Sequence, residues 1–370
     1  MKIAVVLNTS WNIYNFRMGL IKALQAQGHS ICCVAPHDEF TSKLKEAGCE
    51  FSDIKMDSRG VNPVKDFLLF FELKKIYKKQ KPDIILHYTV KPNIYGTLAA
   101  KSLGIPVINN VCGLGSSFIR GGVIAHIVQS LYRFSFLFAS KVFFQNPDDH
   151  HLFVSKKLLR EEKTDIVPGS GIDLNYFSPR INDNNDNFSF LMISRVIKDK
   201  GVFEFVEAAK TIKGKYPKVK FKLLGALDDH HIHGIPKETL TKWVTEGTIE
   251  YLGTTEDVRP YISESDCVVL PSYREGTPRT LLEAAGMGKP LITTDTPGCR
   301  QVVEDGHNGW LCKSKNADDL TNKIEKVLSA SREDLIKWGE NSLLKAKKEF
   351  SEEIVIEKYK AQIQQLALSN

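Results

Sequence analysis

No apolar run in this 370-residue chain approaches the ~20 residues that a bilayer-spanning helix needs. Membrane contact, if made, falls to surface groups. Cysteine is scarce and odd in number: seven, with Cys32 and Cys33 adjacent and no Cys-x-x-Cys pair. That spacing excludes a disulfide framework and a cysteine zinc site, and it fits a reduced, cytosolic protein. The opening residues Met1–Leu7 are too short for a secretory leader and run straight into a polar loop. A short-period repeat is missing. So are a nucleic-acid-binding motif and any Ser-His-Asp or Cys-His arrangement for a covalent nucleophile.

What is present has the balance of a soluble globular protein: 42% hydrophobic, 25% charged, and long enough for two domains. The net charge of +6 is unevenly spread. Residues 1–180 hold 23 Lys and Arg against 15 Asp and Glu, whereas the remainder holds 27 against 29. A basic half suits anionic lipid or a phosphorylated substrate. Phe67–Phe71 run into Lys74, Lys75, Lys78 and Lys79. Residues 118–138 are apolar, with Arg120 and Arg133. Both stretches suit peripheral membrane docking as well as ordinary helix packing.

Apolar strands at 3–7, 31–35 and 83–86 alternate with helices over 18–27, 41–47 and 64–79, and the alternation continues to about residue 145. It restarts after the polar run 182–187, with strands at 188–193, 221–224, 249–252, 267–270 and 291–294. This is the pattern of parallel βαβ units in two doubly wound sheets. A final amphipathic helix over 351–366 offers Ile354, Ile356, Tyr359 and Ile363 to a core.

The richest segment runs from Ser272 to Glu283. The strand at 267–270 leads into Glu275-Gly276-Thr277-Pro278. Thr277 reads as an N-cap, with Pro278 at the first helical position. Leu281, Leu282 and Ala285 follow at helical spacing, and Gly288 and Pro290 stop the helix. Strand, tight loop and helix N-terminus deliver backbone N–H groups to one point, which is an anion site. Glu275 and Glu283 flank it. Amides for phosphate and carboxylates for hydroxyls suggest a nucleotide sugar.

Glu-x7-Glu with that turn resembles the donor site of retaining GT-B glycosyltransferases of family four. The resemblance implies two facing Rossmann-like domains with a central cleft and a C-terminal crossover helix. Residues 1–180 plus about 351–370 would form the acceptor side, and 188–350 the nucleotide-sugar side. It implies that Glu275 contacts the donor sugar's hydroxyls, Glu283 the ribose, and Gly276, Thr277 and Pro278 the diphosphate. Arg195 and Lys200 in Arg-x4-Lys-Gly resemble the family's diphosphate-binding pair. Thr254 stands in the loop that holds the base in relatives. Lys198 has no such match and is expected on the surface.

On the acceptor side, the loop after the first strand lacks the family's usual glycine pair. Asn12 and Arg17 are candidates there for facing the acceptor. Many members carry a His near Cys112; this chain does not. His87, Lys91 and Asn93, with Gly113 and Gly115, complete the candidates. Lys91–Gly96 together with Val111–Gly115 resembles bacterial enzymes that add N-acetylgalactosamine or a related hexose to undecaprenyl-diphosphate-linked glycans. The expected activity is retaining transfer of a hexose or N-acetylhexosamine from a UDP-sugar to a polyprenyl-diphosphate-linked sugar in bacterial surface glycan assembly. The expected place is the inner face of the cell membrane. No cofactor is expected. Asp228–His233 has no clean metal-ligand spacing, and Arg195, Lys200 and helix amides would neutralise the diphosphate. The alternatives are a GT-B-like UDP-sugar epimerase, a non-catalytic nucleotide-sugar sensor, or a transferase with a soluble acceptor.

Overall fold

Parallel strands are buried on both faces, so they must be almost wholly apolar. The chain supplies such strands twice, each time with helices between them. The computed structural model describes residues 1–57, 62–114, 122–180 and 187–368. The chain divides into two compact units, Met1–Ser170 with Glu352–Asn370, and Gly171–Ser351.

The first unit carries β1 (Lys2–Val6), β2 (Ser30–Ala35), β3 (Glu50–Asp53), β4 (Ile84–Tyr88), β5 (Val107–Val111), β6 (Lys141–Phe144) and β7 (Thr164–Ile166). Among the described residues they form one parallel sheet in the order β3-β2-β1-β4-β5-β6-β7. Ile3 pairs with Ile31 on one side and Ile84 on the other. The strand order reverses between β1 and β4. Loops after those strands therefore diverge to opposite faces and leave a crevice at their carboxyl ends. Helix Ser10–Ala26 starts there, capped by Thr9, whose Oγ1 accepts the Asn12 N–H at 3.1 Å.

The second unit carries β8 (Ser189–Ile193), β9 (Lys220–Leu224), β10 (Glu250–Tyr251), β11 (Cys267–Leu270), β12 (Leu291–Thr294) and β13 (Gly309–Cys312). The order among the described residues is β10-β9-β8-β11-β12-β13, reversing between β8 and β11. Its core stacks Phe190 on Phe221, with Phe205 edge-on.

The last helix, Glu352–Leu368, belongs to the first unit. Val355, Tyr359 and Ile363, spaced by four, are its buried stripe; Ile354 and Ile356 lie only half-buried beside it. The Tyr359 hydroxyl accepts from Asn110 Nδ2 at 2.9 Å. Residues 171–180, read from sequence as part of the first domain, belong to the second. Ile172 N–H donates to Phe350 O at 2.8 Å, and Phe177 joins the second core. The polar run 182–187 lies outside the described residues except for Asn187, as do residues 118–121 of the apolar stretch. Among the described residues no helix is long and apolar enough to cross a membrane.

Candidate active site

In the second unit, the loops after β8 and β11 meet at the point where the strand order reverses. Lys200 Nζ lies 2.5 Å from Glu275 Oε1, with side chains 21% and 14% exposed. Ser272 Oγ, one turn of loop earlier, is 2.6 Å from the same carboxylate oxygen. The Glu275 backbone N–H donates to Pro297 O at 3.0 Å. Two glycines make this convergence possible. Gly201 follows Lys200 at φ 77°, where a Cβ would meet Pro271 O at 2.1 Å; at Gly298, φ 83°, a Cβ would meet Glu275 O at 2.4 Å. A side chain at either position would push the two loops apart.

The helix after this loop starts later than its sequence signals indicate. It spans Arg279–Gly286, with Pro278 at the cap in extended conformation, φ −72° and ψ 106°. Thr277 is therefore not the N-cap. Pro278 itself takes the extended backbone of a cap residue, so the first helical residue is Arg279. Glu283 is 8% exposed, so it is no surface helix residue. Its carboxyl is pushed up by burial, and Arg279 opposes that shift through an Nε contact to Oε1 at 3.1 Å. Arg279 also donates to Gly171 O at 3.0 Å. Arg195 is half exposed beside Asp228, 3.5 Å away. Lys198 is exposed, as read. Thr254 is exposed on the loop after β10, where the neighbouring Gly253 O accepts the Gly225 N–H at 2.7 Å. His233 sits 3.6 Å from Asp199. Among the described residues no cluster of three or more His, Cys, Asp or Glu side chains is placed to hold a metal ion.

In the first unit the candidates separate. His87 on β4 is fully buried. Tyr77 OH lies 2.8 Å from Nε2, and Nδ1 lies 3.0 Å from Asn109 Oδ1. Burial lowers its pKa to about 3. With both nitrogens engaged and the ring neutral, His87 is a core residue, not an acceptor contact. Gly96 packs against it, since a Cβ there would meet Nε2 at 2.6 Å. Asn93 is likewise fully buried, donating to Asn110 O at 2.9 Å. Lys91 is held by Asp66, Nζ to Oδ1 at 2.8 Å. Asn12 is half-buried, its Oδ1 without a hydrogen-bond partner. Arg17 is buried, stacked on Tyr88. Gly113 follows Cys112 at φ 133°. Gly115 lies outside the described residues.

Residues 2–146 match the family described as Glycosyl transferase 4-like, and residues 177–344 match Glycosyl transferases group 1. The chain is 33% identical over 345 residues, 89% of each protein, to N,N'-diacetylbacillosaminyl-diphospho-undecaprenol alpha-1,3-N-acetylgalactosaminyltransferase of Campylobacter jejuni. It belongs to the group 1 glycosyltransferases.

This glycosyltransferase is also 26% identical over 317 residues, 79% of the chain and 81% of the relative, to UDP-Gal:alpha-D-GlcNAc-diphosphoundecaprenol alpha-1,3-galactosyltransferase of Escherichia coli. Two solved structures share its fold, GT-B. Sucrose-phosphate synthase from Thermosynechococcus elongatus aligns over the whole of both chains at TM-score 0.83 and 18% identity. Anabaena HepE in complex with UDP and glucose aligns over 99% of each at 0.78 and 19%. Sequence reasoning passed over Ser272, Arg279 and Gly298 in this transferase. Arg279 was legible in principle, four residues before Glu283 on one helix face. Ser272 and Gly298 act only through the meeting of separate loops.

Proposed function

We propose that this protein is a retaining glycosyltransferase that moves a hexose or N-acetylhexosamine from a UDP-sugar to a polyprenyl-diphosphate-linked sugar. The observation that carries it is the Lys200–Glu275 pair at the β8/β11 reversal, with Arg195 on the same loop as Lys200. A cation and a carboxylate side by side suit the two ends of a nucleotide sugar. The diphosphate draws Lys200 and Arg195; the sugar hydroxyls donate to Glu275, whose position Ser272 supports.

In the proposed step the acceptor hydroxyl oxygen bonds to the sugar's anomeric carbon as the bond to the diphosphate oxygen breaks. The hydroxyl proton passes to that leaving oxygen, and UDP departs. Lys200 and Arg195 stabilise the charge that builds on the diphosphate, which is the part of the barrier a preorganised site lowers most. The reading is metal-independent for that reason.

The lipid-linked acceptor is supported by the undecaprenol-linked substrates in the names of both relatives. It is supported too by the surface of the first unit. Helix Pro63–Gln80 buries Asp66, Leu69, Leu73 and Tyr77, and turns Val64, Phe67, Leu68 and Phe71 outward as one stripe ending in Lys75 and Lys78. Helix Gly122–Phe136 exposes Val123, Ile124, Ile127 and Phe134. Both helices pack against Pro92–Gly96. An apolar stripe with a basic end is suited to the face of an anionic bilayer, so we place the enzyme peripherally at the inner membrane surface.

The test is a panel of UDP-hexoses and UDP-N-acetylhexosamines supplied with membrane extract, scored for UDP release and for sugar in the lipid-linked fraction. One donor should give both, with the anomeric configuration retained. Conversion of the UDP-sugar without an acceptor would replace transfer by epimerisation. Product only in the aqueous fraction would replace the lipid-linked acceptor by a soluble one.

A further inference from the structure

The two units place their strand-order reversals alike and treat charge there differently. In the second unit Lys200 has Glu275. In the first, the β1/β4 reversal carries Arg17, which is 5% exposed and forms no ion pair among the described residues. Its guanidinium carbon lies 4.2 Å from the centre of the Tyr88 ring, at the carboxyl end of β4. Nη2 lies 3.6 Å from Cys112 Sγ, the residue after β5. Nε has no hydrogen-bond partner.

This arrangement is incomplete as a resting structure. A buried guanidinium cannot shed its proton, and burying it without a counter-charge is strongly unfavourable. A ring face and a thiol, the latter a weak acceptor, offset only part of that penalty. The backbone beside it is strained in the same place. Thr89, next after β4, sits at φ 66°, where a β-branched residue is rare. Its Oγ1 is buried without a hydrogen-bond partner. Strain of this kind collects where a ligand completes the structure.

We infer that the β1/β4 reversal is an oxyanion site anchored by Arg17, and that its ligand is the diphosphate of the acceptor. The first half stands on the geometry alone; the second rests on the transferase reading above. Arginine's planar fork matches two phosphate oxygens at once. The donor's diphosphate is assigned to Arg195 and Lys200 in the other unit, so an anion here belongs to the other substrate.

The experiment uses the full-length protein with UDP saturating, so that the Arg195–Lys200 side is filled. Melting temperature is titrated with inorganic pyrophosphate, farnesyl diphosphate and farnesol. Both diphosphates should stabilise the parent, and farnesol should not. Arg17→Gln should weaken diphosphate binding by roughly 30-fold, the scale of one hydrogen bond to a charged group. Without ligand it should melt no lower than the parent, because an uncompensated charge has gone. Cys112→Asp places a carboxylate where the thiol meets Arg17. It should fold and abolish the diphosphate shift by satisfying the guanidinium from within. A structural Arg17 gives the opposite pattern: Arg17→Gln melts lower, and Cys112→Asp leaves the diphosphate shift intact. That pattern overturns the inference, as does a parent that ignores both diphosphates. Kinetics separate the two halves. If diphosphates bind through Arg17 but Arg17→Gln leaves the KM for the lipid-linked acceptor unchanged, the oxyanion site stands and its assignment to the acceptor falls. If the parent transfers sugar to lipid while diphosphates bind Arg17→Gln as well as the parent, the transferase reading stands and this site falls.

Discussion

Glu275→Gln separates a working carboxylate from a structural tie. Its Oε1 faces Lys200 Nζ at 2.5 Å and Ser272 Oγ at 2.6 Å. Glutamine keeps an acceptor oxygen and removes the charge. The pair is partly solvated, so its loss should fall below the 3–5 kcal/mol of a fully buried pair, at about 1–2 kcal/mol. At ~2–4 °C per kcal/mol for a unit of this size, the melting temperature should drop by roughly 2–8 °C. The effect on turnover should be larger, on the order of 100-fold, the scale of losing a preorganised polar contact to the reacting group. Binding should move the other way. Released from Glu275, Lys200 offers its whole charge to the diphosphate, and UDP should bind at least as tightly as to the parent. Lys200→Met does the reverse, leaving Glu275 facing the diphosphate, and should weaken UDP by roughly 10- to 100-fold. Adding Glu275→Gln to Lys200→Met should recover part of that loss, since neighbouring charges are not additive. Calorimetry with UDP, melting curves and initial rates of UDP release read the three quantities. A folded Glu275→Gln enzyme with turnover close to the parent's would remove Glu275 from the reaction. A Lys200→Met protein with undiminished UDP affinity would move the diphosphate elsewhere.

Arg195→Ala should lower turnover by roughly 100-fold, and EDTA should leave the parent's rate unchanged; strict dependence on added Mg²⁺ or Mn²⁺ would refute a diphosphate neutralised by side chains alone. His87 should give an acid-sensitive core. The unfolded chain takes up its proton near pH 6.5, whereas burial holds the folded imidazole neutral down to about 3. Its stabilising share is full above pH 6.5 and is lost as pH falls toward 3, at roughly 1.4 kcal/mol per pH unit. His87→Gln should flatten that slope in melting temperature against pH, and parallel curves would assign the acid sensitivity to other groups. Replacing Lys74, Lys75, Lys78 and Lys79 by Gln should weaken sedimentation with anionic vesicles by about 1 kcal/mol per charge and spare UDP binding. High salt should release the parent, and vesicle binding indifferent to both changes would relocate the docking surface.

The strand ladder was legible where strands are buried on both faces and therefore unbroken in sequence. Cys267–Leu270 and Leu291–Thr294 were read to the residue. The strands passed over, Glu50–Asp53, Thr164–Ile166 and Gly309–Cys312, all lie at sheet edges. A strand paired on one side needs no continuous apolar run, and Glu50-Phe51-Ser52-Asp53 has none. The loops and helix start that carry Glu275, Glu283, Arg195 and Lys200 were legible because a strand end, a glycine and a proline fix them locally. His87, Lys91 and Asn93 stood in an equally suggestive motif, and two of them proved to be core.

By itself the sequence determined the two βαβ series, the loops that follow their strands, and the residue types those loops carry. These depend on neighbours a few positions apart, where hydrophobic period and backbone preference act. Only the tertiary structure decided which charges meet. Lys200 found Glu275 across 75 positions, Lys91 was held by Asp66, and Arg17 was left between a ring and a thiol. Those outcomes depend on how separate βα loops converge at strand ends, and spacing along the chain carries no record of distance across a sheet.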